Sequence, residues 1–419
     1  MTLERLCAQL QDRAPGEWEL YRKTAESRET VFRPGSTSAS SRREEGWAAR
    51  WWESGSPRFA SASSPVLLEE AMAEAASPSL ATNRTPPPEW PVASLRLPEA
   101  EDSIEPPPEI FQTLGRQLSA ESRGEAHLAE LAIRRGVSTE RIVNARGLDV
   151  SLSARLTDGV AVAIGRRGAR ACETRVPFRS DGEPDTQWLA RCLSDRSTLP
   201  LSDHSTPIAR GEWLLDPSVS AALLAGISRL FCAQTLPRWV NRRRFASPCV
   251  TIVDDACADA PCDGEGTPTR PVRLVEGGAM RGRLHDLCSA RRSGALPTGH
   301  GVRSSYRTPP STAPRRIFFE TARGAAPLDL LASVRRGLFA SAPTAPFRID
   351  FERDRYEVEF TGVSIASGRA QGPVAGARAR GRLSQLLARI RGYSTECVFW
   401  PMPYPVGAPT LLIDRAEFD

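Results

Sequence analysis

Cys262-Asp263-Gly264-Glu265-Gly266-Thr267-Pro268-Thr269 opens the stretch whose reading decides the fold. It continues through Val272, Leu274, Val275-Glu276-Gly277-Gly278-Ala279-Met280 and closes with Thr298-Gly299-His300-Gly301-Val302-Arg303-Ser304. An acidic, glycine-rich loop leads into a short apolar strand, and a Gly-Gly pair then turns the chain into a second strand. Adjacent glycines between extended segments supply the positive φ angles of a tight hairpin. A short helix and a second glycine loop follow.

Working outward, Asp216-Pro217 predicts a helix start, an N-cap followed by proline at the first helical position. Val219, Leu223, Ile227 and Leu230 continue it at helical spacing to Phe231. Cys249–Val253 reads as a short buried strand ending at Asp254-Asp255. Leu328–Phe339 and the apolar set Leu383, Leu386, Leu387 and Ile390 read as helices. Tyr356, Val358 and Phe360 alternate as in a half-exposed strand. The proline-punctuated tail Phe399–Pro405 reads as irregular.

Towards the N-terminus, Leu3, Leu6 and Leu10 mark an amphipathic helix with charges between them; no apolar run of signal-peptide type follows. Trp18–Arg22, Thr30–Arg33 and Gly46–Trp52 read as short strands of an antiparallel meander. Val66–Ala76, Glu109–Leu118 and Glu125–Arg135 read as helices, and Arg141–Leu152 with Gly159–Ile164 as strands turning at Arg146-Gly147. Residues 84–108, bounded by two proline triplets, read as a linker-like excursion. The expected class is α+β in two domains, 1–205 and 206–419, each a mainly antiparallel sheet packed against helices.

Length and composition suit a soluble protein with two cores: 419 residues, 40% hydrophobic and 25% charged. Lys23 is the lone lysine among 55 basic residues, the mark of a GC-rich coding bias. The arginines interleave with acids, the densest run being Arg242-Arg243-Arg244, and the net charge is only +5, which sets a nucleic-acid role aside. Nine cysteines without repeated spacing point to reduced thiols, and no apolar run approaches membrane-spanning length. The expected location is cytoplasmic.

The order of acidic glycine loop, hairpin, short helix and Thr-Gly-x-x-x-Arg loop resembles the C-terminal half of the TldD/TldE (PmbA) family. Gly46 to Phe59-Ala60-Ser61 and Asn144-x-x-Gly147 are similar to shorter patterns of its N-terminal half, and Gly372-Pro373-Val374 fits as well. Members were once called modulators of DNA gyrase and are regarded as two-subunit zinc peptidases. His300, where members carry asparagine, and Arg316-Ile317 depart from the pattern.

The resemblance implies that a TldD-type subunit binds zinc through a helical His-Glu-x-x-x-His pair. Two imidazoles one helical turn apart, a third ligand and an open position are what such chemistry requires. The four histidines here, His127, His204, His285 and His300, are not followed by glutamate and are widely separated. No catalytic or metal residue is therefore assigned, and zinc is expected in a partner subunit rather than in this chain. The implied role is a TldE-like subunit that joins a TldD-like zinc peptidase and handles unfolded or modified peptides. Asp263, Glu265, Thr267, Thr298, His300 and Arg303 are the candidates for lining its substrate cavity or interface. Alternatives are a homodimeric hydrolase acting alone, with a degenerate or cysteine-based site around His285 and Cys288, and a DNA-associated gyrase modulator.

Overall fold

A computed structural model describes residues 2–53, 56–75, 91, 94–96, 106–180, 182–201, 210–232, 236–258 and 260–418. The expected boundary near residue 205, His204 and most of the proline-rich excursion lie outside the described residues.

The N-terminal half is built on four long strands. Trp18–Arg33 pairs along its whole length with Ser36–Glu53 on one side and with Ala126–Asn144 on the other. Asp149–Arg167 continues the sheet, Ser56–Ala62 and Arg170–Ser180 flank it, and all these pairings are antiparallel. A short strand, Ser94–Arg96, adds in parallel to Asp149–Ser151, inside the segment expected to be irregular. Helices Ile110–Glu121 and Thr186–Thr198 cover one face, burying Leu114, Leu118, Leu189 and Leu193.

Two expectations here are corrected. The pieces Trp18–Arg22 and Thr30–Arg33 are one strand, because main-chain pairing on both sides carries it through the polar residues between them. Glu125–Arg135 is strand, not helix. A register shift between Leu128 and Glu130 breaks the period-2 pattern and leaves Leu128 and Leu131 both buried at a spacing that imitates a helix.

In the C-terminal half, helix Pro217–Ile227 lies between two sheets. Its N-cap Asp216 accepts from Ser218 N at 2.8 Å. It packs on strands of both sheets, which accounts for apolar residues on every side of it. One sheet orders Ala279–Met280, Pro271–Glu276, Ile252–Asp255, Ile317–Phe319, Pro405–Ala408 and Val398–Pro401. The other orders Arg348–Asp350, Arg355–Ala366, Arg336–Pro343, Arg210–Leu215, Leu411–Glu417 and Ile390–Tyr393, with Arg369–Gly381 beside Arg355–Ala366. The hairpin at Gly277-Gly278 forms as read, with φ of 53° and 75°.

Leu328–Phe339 is corrected to a helix, Pro327–Ser333, followed by the strand Arg336–Pro343. There Gly337 comes so close to the Glu212 main chain that a Cβ would lie 2.0 Å from the Glu212 carbonyl oxygen. The tail read as irregular is a hairpin of Val398–Pro401 and Pro405–Ala408, with prolines paired at its closing end. Ile390 begins a strand after the helix Leu383–Ala388.

The halves share one continuous core, running from Phe32 and Leu131 to Trp213 and Phe360. A second seam is polar: Arg196 donates to Asp216 Oδ1 at 3.1 Å and Ser218 Oγ at 2.8 Å, and lies 4.7 Å over Trp400. At a third point the Tyr306 ring covers Gly46, where an added Cβ would fall 2.1 Å from a ring carbon. We therefore expect Gly46→Val to cost about 1–3 kcal/mol by overpacking this seam. Thermal unfolding of the pure variant measures it, and an unchanged melting temperature would show that the seam does not hold the halves.

Candidate functional site

The six candidate residues come from two loops that the acidic glycine stretch and the Thr-Gly loop bring side by side. Asp263 organises the first loop. Its Oδ1 accepts from Glu265 N and Thr267 N, each at 2.9 Å, and its Oδ2 accepts from Gly301 N of the second loop at 2.7 Å. Thr298 Oγ1 accepts from His285 N at 2.8 Å. His300 has both ring nitrogens engaged, Nδ1 with Thr298 O at 2.9 Å and Nε2 with Asp254 Oδ1 at 3.1 Å. Asp254 also accepts from the main-chain N–H groups of Arg315 and Arg316.

The structure thus brings these residues together, with their side chains turned inward. Asp263, Glu265 and His300 are at most 1% exposed, and Thr267, Thr298 and the Arg303 side chain are buried with them. They meet the N-terminal sheet rather than an open cavity. Arg50, on the strand Ser36–Glu53, lies 2.8 Å from Glu265 Oε1 and donates to Glu19 Oε2 at 3.2 Å. Arg303 pairs with the other oxygen of Glu19, donates to Gly264 O at 2.7 Å, and lies 4.4 Å over the Tyr21 ring. The result is an alternating ionic chain, Arg303–Glu19–Arg50–Glu265, crossing between the halves. Glu265 Oε2 completes it by accepting from Leu287 N at 2.8 Å, at the start of helix Leu287–Ser293.

Electrostatics follow from burial. Desolvation pushes the Glu265 carboxyl up to about 7; Arg50 opposes the rise, and Asp263, Asp286 and Glu19 add to it. Burial raises Asp263 too, against hydrogen bonds from Gly301, Glu265 and Thr267. For Arg50, burial disfavours the charge, and Glu19 and Glu265 more than restore it.

The cysteine-based alternative meets a different geometry. Cys288 lies 3.8 Å from Arg50, and burial pushes its thiol up to about 11, which holds it as the poorly nucleophilic thiol. His285 faces Ser293 Oγ at 3.4 Å and makes no hydrogen bond to Cys288 among the described residues. Its pKa is lowered by burial and by Arg283.

Glu19 and Arg50 were absent from the sequence candidates. Their signal was a charge set among tryptophans: Trp18 beside Glu19, and Arg50 preceding Trp51-Trp52. On strands buried on both faces, such a charge requires a partner inside the protein.

Residues 214–419 match the family model described as PmbA/TldA metallopeptidase C-terminal domain. The crystal structure of TldE from Thermococcus kodakarensis superposes with a TM-score of 0.83 at 19% identity, covering 99% of both chains. The chain belongs to the TldD/TldE family. An uncharacterized protein of Methanocaldococcus jannaschii is 27% identical over 234 residues, 52% of this chain and 54% of that protein. A metalloprotease TldD homolog of Buchnera aphidicola is 33% identical over 104 residues, 23% of this chain and 21% of its own. The match thus spans about half the length of the first of these relatives and about a fifth of the second.

The donor set does not fit a zinc ion. Among the described residues no three His, Cys, Asp or Glu side chains are grouped to hold a metal, and the ring nitrogens of His300 are both committed.

Two outcomes are expected of the ionic chain. Arg303→Met leaves Glu19 with a buried, half-compensated charge and should lose about 3–5 kcal/mol. In the double variant with Glu19→Gln the loss should be smaller than the sum of the two, read by denaturant unfolding as a double-mutant cycle; strict additivity would contradict direct coupling. Because the folded pKa of Glu265 is raised, the native state binds more protons than the unfolded state between about pH 4.5 and about pH 7, and stability falls as pH rises through that window. Glu265→Gln, fixed in the neutral form, should therefore gain stability relative to the parent between about pH 5 and about pH 8. A constant difference across that range would argue against the raised carboxyl.

Proposed function

We propose that this chain is a non-catalytic, TldE-type subunit that pairs with a TldD-like zinc peptidase in the cytoplasm and helps present unfolded or modified peptides for cleavage. The observation that carries the reading is the use of its polar loops. The family scaffold is present over the whole chain, yet the side chains that could have done chemistry there are spent on fastening its own loops and halves.

A second observation supports peptide handling. Ser56–Ala62 covers the outer edge of Ser36–Glu53 only from Trp47 onward, so residues 36–46 carry no neighbouring strand on that side among the described residues. Every residue of the strand from Ser36 to Arg43 is exposed. An open edge offers main-chain N–H and C=O groups to an extended peptide irrespective of its side chains. On the sheet face beside it lies a groove of about 570 Å³, lined by Ser27, Arg42, Glu44, Gly136 and Ser138 among others, into which the second loop contributes Ser304.

Co-expression with a chain bearing His-Glu-x-x-x-His tests the assignment. A stable complex is expected, with zinc bound through the partner and peptidase activity that this chain lacks by itself. Chelator-sensitive peptidase activity of the isolated chain, or its failure to join any such partner, would overturn it.

A further inference from the structure

Two side chains join the outer edge of Ser36–Glu53 to the groove beside it. Arg42 and Glu44, two residues apart on the strand, lie on one face of the sheet, and both line the groove of about 570 Å³. Towards the sheet interior Arg42 stands opposite Ser27 and Glu44 opposite Ala25, so their cross-strand neighbours carry no charge. The other face of the strand differs: Arg43 stands opposite Glu26, and Glu45 pairs with Arg22 at 3.0 Å. Arg307, whose Nε donates to Tyr306 Oη at 3.1 Å, also feels the charge of Glu44. The floor of the groove is made of small residues in register on two strands, Ala25 opposite Ser138 and Ser27 opposite Gly136. Long side chains laid over it from outside have room there.

The neighbouring strand sets a direction. Ser56–Ala62 pairs antiparallel with Trp47–Glu53 and leaves the edge at Ala62, where the chain turns towards helix Pro65–Ala75. An added strand that prolongs this line past Ala62 runs antiparallel to residues 36–46. That is the pairing the four long strands of the sheet already use among themselves. In this orientation the added residue opposite Glu44 comes two positions before the one opposite Arg42.

We propose that residues 36–46 take an extended peptide as an additional antiparallel strand and select it by charge order. A basic residue stands opposite Glu44, an acidic residue two positions later stands opposite Arg42, and both side chains lie over the groove. The inference rests on the reading that this chain handles extended polypeptide, and adds a sequence preference to it. Main-chain hydrogen bonds to an edge accept any sequence, so discrimination falls to the side chains directly opposite each other. Opposite charges at such a cross-strand pair stabilise and like charges destabilise. Edge charges of one sign would only repel strands of that sign. Two signs in succession on one face accept one order and reject the reverse.

The test is fluorescence anisotropy of the isolated chain with two labelled peptides of about twelve residues and identical composition. One carries Lys-Thr-Glu between flanks of alternating threonine and valine, and the other carries Glu-Thr-Lys between the same flanks. The first should bind about tenfold more tightly than the second, by a margin that narrows as salt rises. Arg42→Glu with Glu44→Arg keeps the net charge and should reverse the preference. The matching exchange Glu173→Arg with Arg175→Glu, an exposed pair on the strand Arg170–Ser180, should leave the preference as it is, and circular dichroism checks that both variants fold. Equal binding of the two peptides, no binding of either, the opposite preference, or a preference that the exchange at residues 42 and 44 leaves unmoved would each overturn the proposal. So would a dimer, seen by light scattering, that this exchange dissolves, since a second copy would then cover the edge. These measurements need no partner subunit: a chain that selects by charge order yet joins no zinc peptidase would sink the subunit reading and leave the edge site standing.

Discussion

The chain Arg303–Glu19–Arg50–Glu265 is the constraint on which the rest of the structure depends. Each of its members is buried, and a buried charge without a partner costs several kcal/mol. Glu19 and Arg50, from the N-terminal sheet, pair with each other, but Glu265 and Arg303, from the two C-terminal loops, meet their charged partners across the seam. Docking of the halves in one register is therefore required by electrostatics, and the shared apolar core between Leu131 and Trp213 then supplies the main favourable energy. The fit of Tyr306 over Gly46 and of Arg196 against Asp216 and Trp400 narrows that register further.

The same constraint shapes the functional reading. Loops that look like a site by composition, with Asp, Glu, Thr, His and Arg among glycines, act here as internal fasteners. Asp263 ties one loop to the other through Gly301, and His300 ties the second loop to the strand Ile252–Asp255 through Asp254. What the described residues leave open is of another kind: a strand edge at residues 36–46 and a polar groove along the N-terminal sheet.

Legibility differed by the range of the forces involved. The Gly277-Gly278 hairpin, the Asp216-Pro217 helix and the strand at Tyr356, Val358 and Phe360 were readable because turn chemistry, capping and alternation act over a few residues. Ser36–Arg43 was not: eight exposed residues, all polar but Ala39, carry no pattern, and only pairing with Trp18–Arg33 makes them a strand. Leu128 to Leu131 misled because a bulge disguised the alternation, and Leu328 to Phe339 because a helix and a buried strand abut there at helical spacing. Of the site, the loop residues were found by their glycines, while Glu19 and Arg50 went unnoticed on strands read for their tryptophans.

The sequence by itself determined the class, the hairpin and loop order that mark the family, and the wide separation of its histidines, since each is written in local spacing. Tertiary structure alone decided that those loops face inward. A carboxylate's role depends on what lies across from it, and the partners of Glu265 and Arg303 stand more than two hundred residues away in the chain, at Arg50 and Glu19. No local pattern records such a pairing, because its energy exists only once both halves exclude water from between them.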